Sequence, residues 1–312
     1  MLHAIIYSLI CFFTVIAGGI ARSEQLPIVL VNGIMADDKD MKPLEEQIHK
    51  ALPNAYVKSV HILKGKWTSW KNMYEQGEDL CHDIKADPKL KDGFIFIAHS
   101  QGGLLARYYV QQFNNPKCET LITLGSPHQG TFGLPGKIDE RLKFLNYFEN
   151  AARWFLYRSF MQNHVSCAQY YHNTLHVDQY LNRCNFLPYL NNSKPHDLSE
   201  HYKANIVALK HFVMVNSTAE AIVEPACSCH FGFYKDSSKE IEENLIETSC
   251  YKEDSLGLKT LDDAGKLYLL WCNCAHTDYQ EDGDCFKRCI LPFLKNEEDS
   301  GLKILLDYDE EC

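Results

Sequence analysis

Ser100 lies in FIFIAHSQGG, residues 94–103, where an apolar run that reads as a buried strand ends in His99, Ser100 and Gln101 and then in two glycines. A serine hydroxyl is a poor nucleophile near neutral pH. It needs a base to take its proton and an acid to orient that base. The chain carries both types downstream. His276 follows KLYLLWC, an apolar segment that reads as the last core strand, and stands four residues beyond Cys272. Glu220 and Glu224, in AEAIVEP, follow HFVMV, the strand-like segment before it, and Asp236 lies further on. Serine, then acid, then histidine is the chain order of a triad built on a strand-to-helix elbow. Position and residue type leave the choice among the carboxylates open.

The elbow itself needs a strand, a tight turn and a helix. LLARYYVQQF, Leu104 to Phe113, has apolar residues at helical spacing and no breaker. Gly102 and Gly103 let strand, turn and helix approach where a side chain would obstruct them. The common pattern is G-x-S-x-G, and here Ala98 takes the place of the first glycine, one small residue for another. Serine and glycine are also ordinary turn residues; the strand before them and the helix after them favour the elbow. Acyl transfer further requires two donors for the developing oxyanion. The backbone N–H of Gln101, next after the serine, is one. The other is expected in VNGIMADD, after the first core strand, at Ile34, with Gly33 allowing a close approach.

These residues sit within repeated β–α alternation. LPIVLVNGI, AYVKSVHIL, FIFIA and TLITLGSP read as strands, with MKPLEEQIHKAL, WKNMYEQGEDLCHDI and LLARYYVQQF as helices between them. Apolar strands alternating with helices imply a mostly parallel sheet covered on both faces, an α/β fold whose ligands bind beyond the carboxyl ends of the strands. The alternation lapses from about residue 137 to 203, a stretch rich in aromatics, Asn and His that contains RLKFLNYFENAARWFLYRSF. This reads as an inserted, largely helical cap with its own core, whose spare apolar surface could form a groove for a lipid-like chain. HFVMV and KLYLLWC resume the sheet. DCFKRCILPFL is expected to close the fold as a helix that Pro292 interrupts or ends.

A net charge of −10 argues against a nucleic-acid surface, which needs concentrated Lys and Arg. Residues 1–23 read as a cleaved signal peptide: the apolar stretch is short for a membrane span, and Ala21 and Ser23 suit cleavage. The folded α/β domain would then be residues 24–312, and no later segment is apolar enough to cross a bilayer. Of thirteen cysteines, cleavage would remove Cys11 and leave an even twelve, which in a secreted chain suggests disulfides. Cys227/Cys229 and Cys272/Cys274, with His230 and His276 nearby, lack the usual C-x-x-C spacing of zinc sites, so no metal is expected. Asn191 and Asn216 head N-x-S/T sequons and are candidate glycosylation sites.

Taken together the residues resemble the palmitoyl-protein thioesterase family, and within it the lysosomal type 1 branch. The likeness runs from about Leu26 to Leu294 and rests on DPKL, HSQGG, SPHQGTFGLPG, ALKHFVMV, IVEP, FGFY, LGLK, DDAG and ILPFL. It implies an α/β-hydrolase fold with a cap insertion, no cofactor, and hydrolysis of fatty acyl thioesters on S-acylated proteins or peptides, delivered to the lysosome by the secretory route. It implies Ser100 as nucleophile, His276 as base and, by placing the acid in an I-V-D-P stretch that here is IVEP, Glu224 as the acid. It also implies a disulfide between Cys81 and Cys118. The rival expectations are a lipid carboxylesterase using the same triad, and an inactive lipid-binding glycoprotein that retains the fold.

Overall fold

The computed structural model describes residues 25–34, 38–60, 70–132 and 154–295. The expected signal peptide and the larger part of RLKFLNYFENAARWFLYRSF lie outside these residues.

Six parallel strands form the main sheet: β1 (Ile28–Val31), β2 (Val57–Val60), β3 (Phe94–His99), β4 (Cys118–Leu124), β5 (His211–Ser217) and β8 (Leu267–Cys272), in spatial order β2-β1-β3-β4-β5-β8. A separate antiparallel pair, β6 (Phe233–Tyr234) and β7 (Glu242–Glu243), stands apart from it. Side chains alternate across each strand, so two faces are built from one apolar run. Val29, Val31, Phe94, Phe96, Ala98, Leu121, Phe212 and Met214 belong to one buried cluster. Ile28, Leu30, Ile95, Ile97, Ile122, Leu124, Val213 and Val215 belong to the other. Two buried faces explain why these strands read as continuous apolar runs rather than as alternating patterns.

Helix α1 (Lys42–Ala51) covers the second face through Leu44 and Ile48. Helices α2 (Met73–Lys85) and α3 (Gln101–Gln112) cover the first, through Met73, Leu80 and Ile84 and through Leu104, Leu105 and Tyr109. Helix α2 starts where Asn72 Oδ1 accepts the Glu75 N–H at 2.9 Å, an N-cap that satisfies one orphan donor.

One expectation is corrected here. The cap residues that are described do not form a core of their own: Tyr157, Tyr171, Tyr180 and Phe186 join the cluster beneath α2 and α3. Pro292 interrupts the closing helix as expected, without ending it: Gly283–Cys285 leads into a π-helical turn at Phe286–Ile290, and Leu291–Lys295 continues the helix. A proline ring has no N–H to donate and crowds the carbonyl four residues back; the wider turn just before it loosens the ladder there.

Between β1 and β3 the chain order reverses, β2 and β1 lying on one side and β3, β4, β5 and β8 on the other. The carboxyl ends of β1 and β3 therefore splay at a crevice, the place where open α/β sheets hold ligands.

Candidate active site

Ser100 is the single residue between the end of β3 and the start of α3, with φ 53° and ψ −127°. A non-glycine residue at positive φ is held there by its surroundings. Those surroundings are small by necessity. A Cβ on Gly102 would fall 2.4 Å from the Asn32 carbonyl oxygen, and one on Gly103 would fall 2.0 Å from Ser126 Oγ. The two glycines thus let α3 begin directly against the end of β1 and the turn after β4.

His276 follows β8 and brings its Nε2 to 2.9 Å from Ser100 Oγ. Its Nδ1 lies 2.8 Å from Glu220 Oε2. The carboxylate can only accept, so Nδ1–H donates to it and Nε2 is left free to accept from the serine hydroxyl. Glu220 is anchored in turn. Its Oε1 accepts the N–H groups of Ile222 at 2.8 Å and Val223 at 3.0 Å, and its own N–H donates to the Ser217 carbonyl at 3.2 Å. Its side chain has no solvent exposure. Burial works against its ionisation, but the hydrogen bond and charge of His276 and the two backbone donors outweigh that, and its pKa is lowered.

Ser100 and His276 are brought together as the sequence suggests, and Glu224 is not brought to them. Its side chain is exposed, while its carbonyl accepts the Phe132 N–H at 2.7 Å and its N–H donates to Thr131 Oγ1 at 3.4 Å. The physical reason is the turn after β5. The chain folds back within three residues of Ser217, so Glu220 reaches the strand tip and Glu224 has already left it. Asp236 is also exposed and remote from the turn. The signal that points to Glu220 is distance from the strand end: the acid must reach a histidine over the neighbouring strand, and Glu220 is the first carboxylate after β5.

At the expected oxyanion donors, Gln101 is the first residue of α3, where N–H groups have no intrahelical acceptor. Ile34 is half-buried in the turn after β1. A Cβ on its neighbour Gly33 would come 2.9 Å from Ser100 Cβ, so this turn lies against the serine.

Other supporting residues escaped the sequence reading. Ser217 Oγ donates to the Cys274 carbonyl at 2.6 Å and accepts the Cys274 N–H at 3.0 Å, tying the end of β5 to the loop that carries His276. Gly125, at φ 54°, ends β4 beneath the His276–Glu220 pair: a Cβ there would lie 2.7 Å from the Tyr279 ring and 3.2 Å from both Glu220 Oε2 and His276 Nδ1. A glycine directly after a core strand, in TLGSP, is the only trace it leaves in the sequence.

Three further expectations are corrected. Asn191 is fully buried, its Oδ1 accepting from Arg107 and its Nδ2 donating to the His128 carbonyl at 3.0 Å, so its amide cannot carry a glycan in the folded chain. Asn216 is equally buried within β5, with Nδ2 donating to the Ala226 carbonyl at 3.0 Å. Cys81 and Cys118 are free thiols rather than a disulfide; Cys118 Sγ turns to the Thr120 carbonyl at 3.2 Å, and burial raises the pKa of both.

A cleft of about 460 Å³ between the cap and residues 233–255, lined by Gln129, His172, Tyr180, Glu243 and Lys252 among others, includes none of Ser100, Glu220 or His276. Its lining mixes the charged Glu243 and Lys252 with the apolar Val177, Leu181 and Phe233. No helix among the described residues is long and apolar enough to cross a membrane.

The sequence pattern of the family described as palmitoyl protein thioesterase matches residues 27–276. The chain is 33% identical to palmitoyl-protein thioesterase 3 of Dictyostelium discoideum over 280 residues, 88% of this chain and 94% of that protein. It is 31% identical to palmitoyl-protein thioesterase 1 of Caenorhabditis elegans, covering 80% and 85% of the two chains. The lysosomal thioesterase PPT2 of Homo sapiens is 28% identical over 280 residues, 88% of this chain and 89% of that one.

Proposed function

Since this chain belongs to the palmitoyl-protein thioesterase family, we propose that it hydrolyses long-chain fatty acyl thioesters, removing palmitoyl-type groups from the cysteines of S-acylated proteins. The observation that carries this reading is the continuous chain Ser100 Oγ, His276, Glu220 at 2.9 and 2.8 Å.

Ser100 Oγ attacks the thioester carbonyl as His276 Nε2 takes its proton. Glu220 stays ionised, keeps Nδ1 protonated and stabilises the imidazolium that forms. The backbone N–H of Gln101, with that of Ile34, receives the oxyanion of the tetrahedral intermediate. Collapse expels the sulfur leaving group, a thiolate that needs less help than an alkoxide and takes up the His276 proton as it departs, and leaves an acyl ester on Ser100 and a neutral His276. Water, deprotonated by His276, attacks that ester and frees the fatty acid. Every step uses groups this chain carries.

The cap supplies apolar surface for the acyl chain. Trp154, Phe155 and Phe160 are 50%, 51% and 59% exposed, apolar surface available to an acyl chain. Work in the lysosome accords with the name of the human relative.

The test is turnover of a palmitoylated cysteine peptide and its palmitoyl-serine counterpart by wild type and Ser100→Ala. Thioester cleavage that exceeds oxyester cleavage and is lost in Ser100→Ala supports the reading. Preference for the oxyester turns it towards a lipid carboxylesterase. Absence of turnover on both by folded protein sinks it.

A further inference from the structure

His99 is the residue the mechanism leaves without a task. It is 7% exposed, at the last position of β3, one residue before the nucleophile. Its Nε2 lies 2.8 Å from the backbone carbonyl oxygen of His276. A carbonyl can only accept, so Nε2 carries the hydrogen and donates it. The ring packs 4.8 Å from the His276 ring and 5.8 Å from the Tyr279 ring, centroid to centroid. On the other side, a Cβ on Gly33 would stand 3.4 Å from His99 Nδ1. The imidazole therefore spans the space between the turn after β1 and the loop after β8. With Ser217 tying that loop at Cys274, the hydrogen bond from His99 ties it again at His276 itself.

We infer that His99 is a positioning residue, whose Nε2–H fixes the backbone of His276 so that the imidazole faces Ser100. This rests on the hydrolase reading above. The titratable groups around it are His276, Glu220 and Tyr279. Burial, reinforced by His276, pushes the His99 pKa down to about 3. The ring is thus a neutral donor throughout the mildly acidic and neutral range, and its hold on the loop does not change as His276 gains and loses its proton. A lysine or arginine in this place would add a buried positive charge beside the base; a phenylalanine would fill the space and donate nothing.

The experiment compares wild type with His99→Leu, which removes the donor, and His99→Gln, whose amide N–H can reach the same carbonyl. Two readouts are taken: kcat and KM on a palmitoyl-thioester peptide, and the rate of Ser100 labelling by a fluorophosphonate, which reports the Ser100–His276 geometry whatever the natural substrate. Expected is a loss of about tenfold in kcat and in labelling rate for His99→Leu, the effect of one hydrogen bond, with KM within about twofold and most of the loss recovered in His99→Gln. Equal labelling of wild type and His99→Leu overturns the inference, as does a His99→Gln that is no better than His99→Leu. Labelling that follows this pattern without thioester turnover would instead discard the substrate reading and keep the role of His99. Should His99→Leu not fold, nitrogen NMR of the wild-type histidines decides: a His99 protonated on Nδ1 alone, or charged at neutral pH, overturns it.

Discussion

The turn after β3 and the turn after β5 both deliver a side chain to His276, and they do so by different means. At the first, the position of Ser100 follows from a few adjacent residues: a buried strand, a backbone at φ 53°, and glycines that let α3 start against Asn32 and Ser126. At the second, the position of Glu220 follows from partners scattered along the chain. Ile222 and Val223 hold one oxygen, His276 holds the other, Gly125 leaves the space, and Ser217 fastens the neighbouring loop. A locally determined nucleophile and a globally determined acid meet at one histidine. A strand-to-helix elbow can be recognised in a short stretch of sequence. A carboxylate on a returning turn can be recognised only once the strands are placed.

Substitutions can separate these two kinds of constraint. The largest effect is expected from Ser100→Ala, which removes the attacking oxygen and should lower kcat about 10⁵-fold or more, with stability close to wild type by thermal unfolding. Next is Glu220→Gln. The amide can donate to Nδ1, which favours the wrong tautomer of His276, and kcat should fall about 10³- to 10⁴-fold. The paired variant Glu224→Gln should stay within about twofold in kcat, because its exposed side chain contacts neither His276 nor Ser100. Equal losses in the two glutamate variants would dissolve the distinction between the turns. Gly125→Ala, placed beneath the acid and strained at φ 54°, should cost about 10²-fold in kcat while leaving the elbow intact.

A smaller effect appears in stability against pH. The pKa of Glu220 is lowered in the folded chain. Its contribution is therefore fully present above the ordinary glutamate range, about 4.3, and is lost as pH falls through the lowered folded value. The gap in Tm between wild type and Glu220→Gln should be widest near neutral pH and should close on the acid side of that range.

Much of the fold was legible in the residues. Strands buried on both faces announce themselves as unbroken apolar runs, and LPIVLVNGI, FIFIA, TLITLGSP and HFVMV each contribute a strand to the sheet, with KLYLLWC as its half-buried edge. Chain order points to Ser100 and His276, which the structure brings within 2.9 Å of each other, because strand order limits where a base can stand. The resemblance points to Glu224, whereas the structure sets Glu220 on His276, since two glutamates four residues apart differ only in how sharply the chain turns between them. The sequons at Asn191 and Asn216 misled for a related reason: three residues define an acceptor, but burial depends on what packs over it. Cys81 and Cys118 are likewise both buried in the first cluster, yet the direction in which each thiol turns is set by its neighbours.

By itself, then, the sequence determined the parallel sheet, the elbow and the meeting of Ser100 with His276, because each depends on periodicity, on glycine where no Cβ fits, or on order along the chain. Tertiary structure alone decided that Glu220 is the residue on His276, that His99 reaches the carbonyl of the base, and that the two sequons are closed. Those outcomes depend on hydrogen bonds between groups as many as 177 positions apart. No local pattern encodes such a contact, because its partners become neighbours only after the strands have paired.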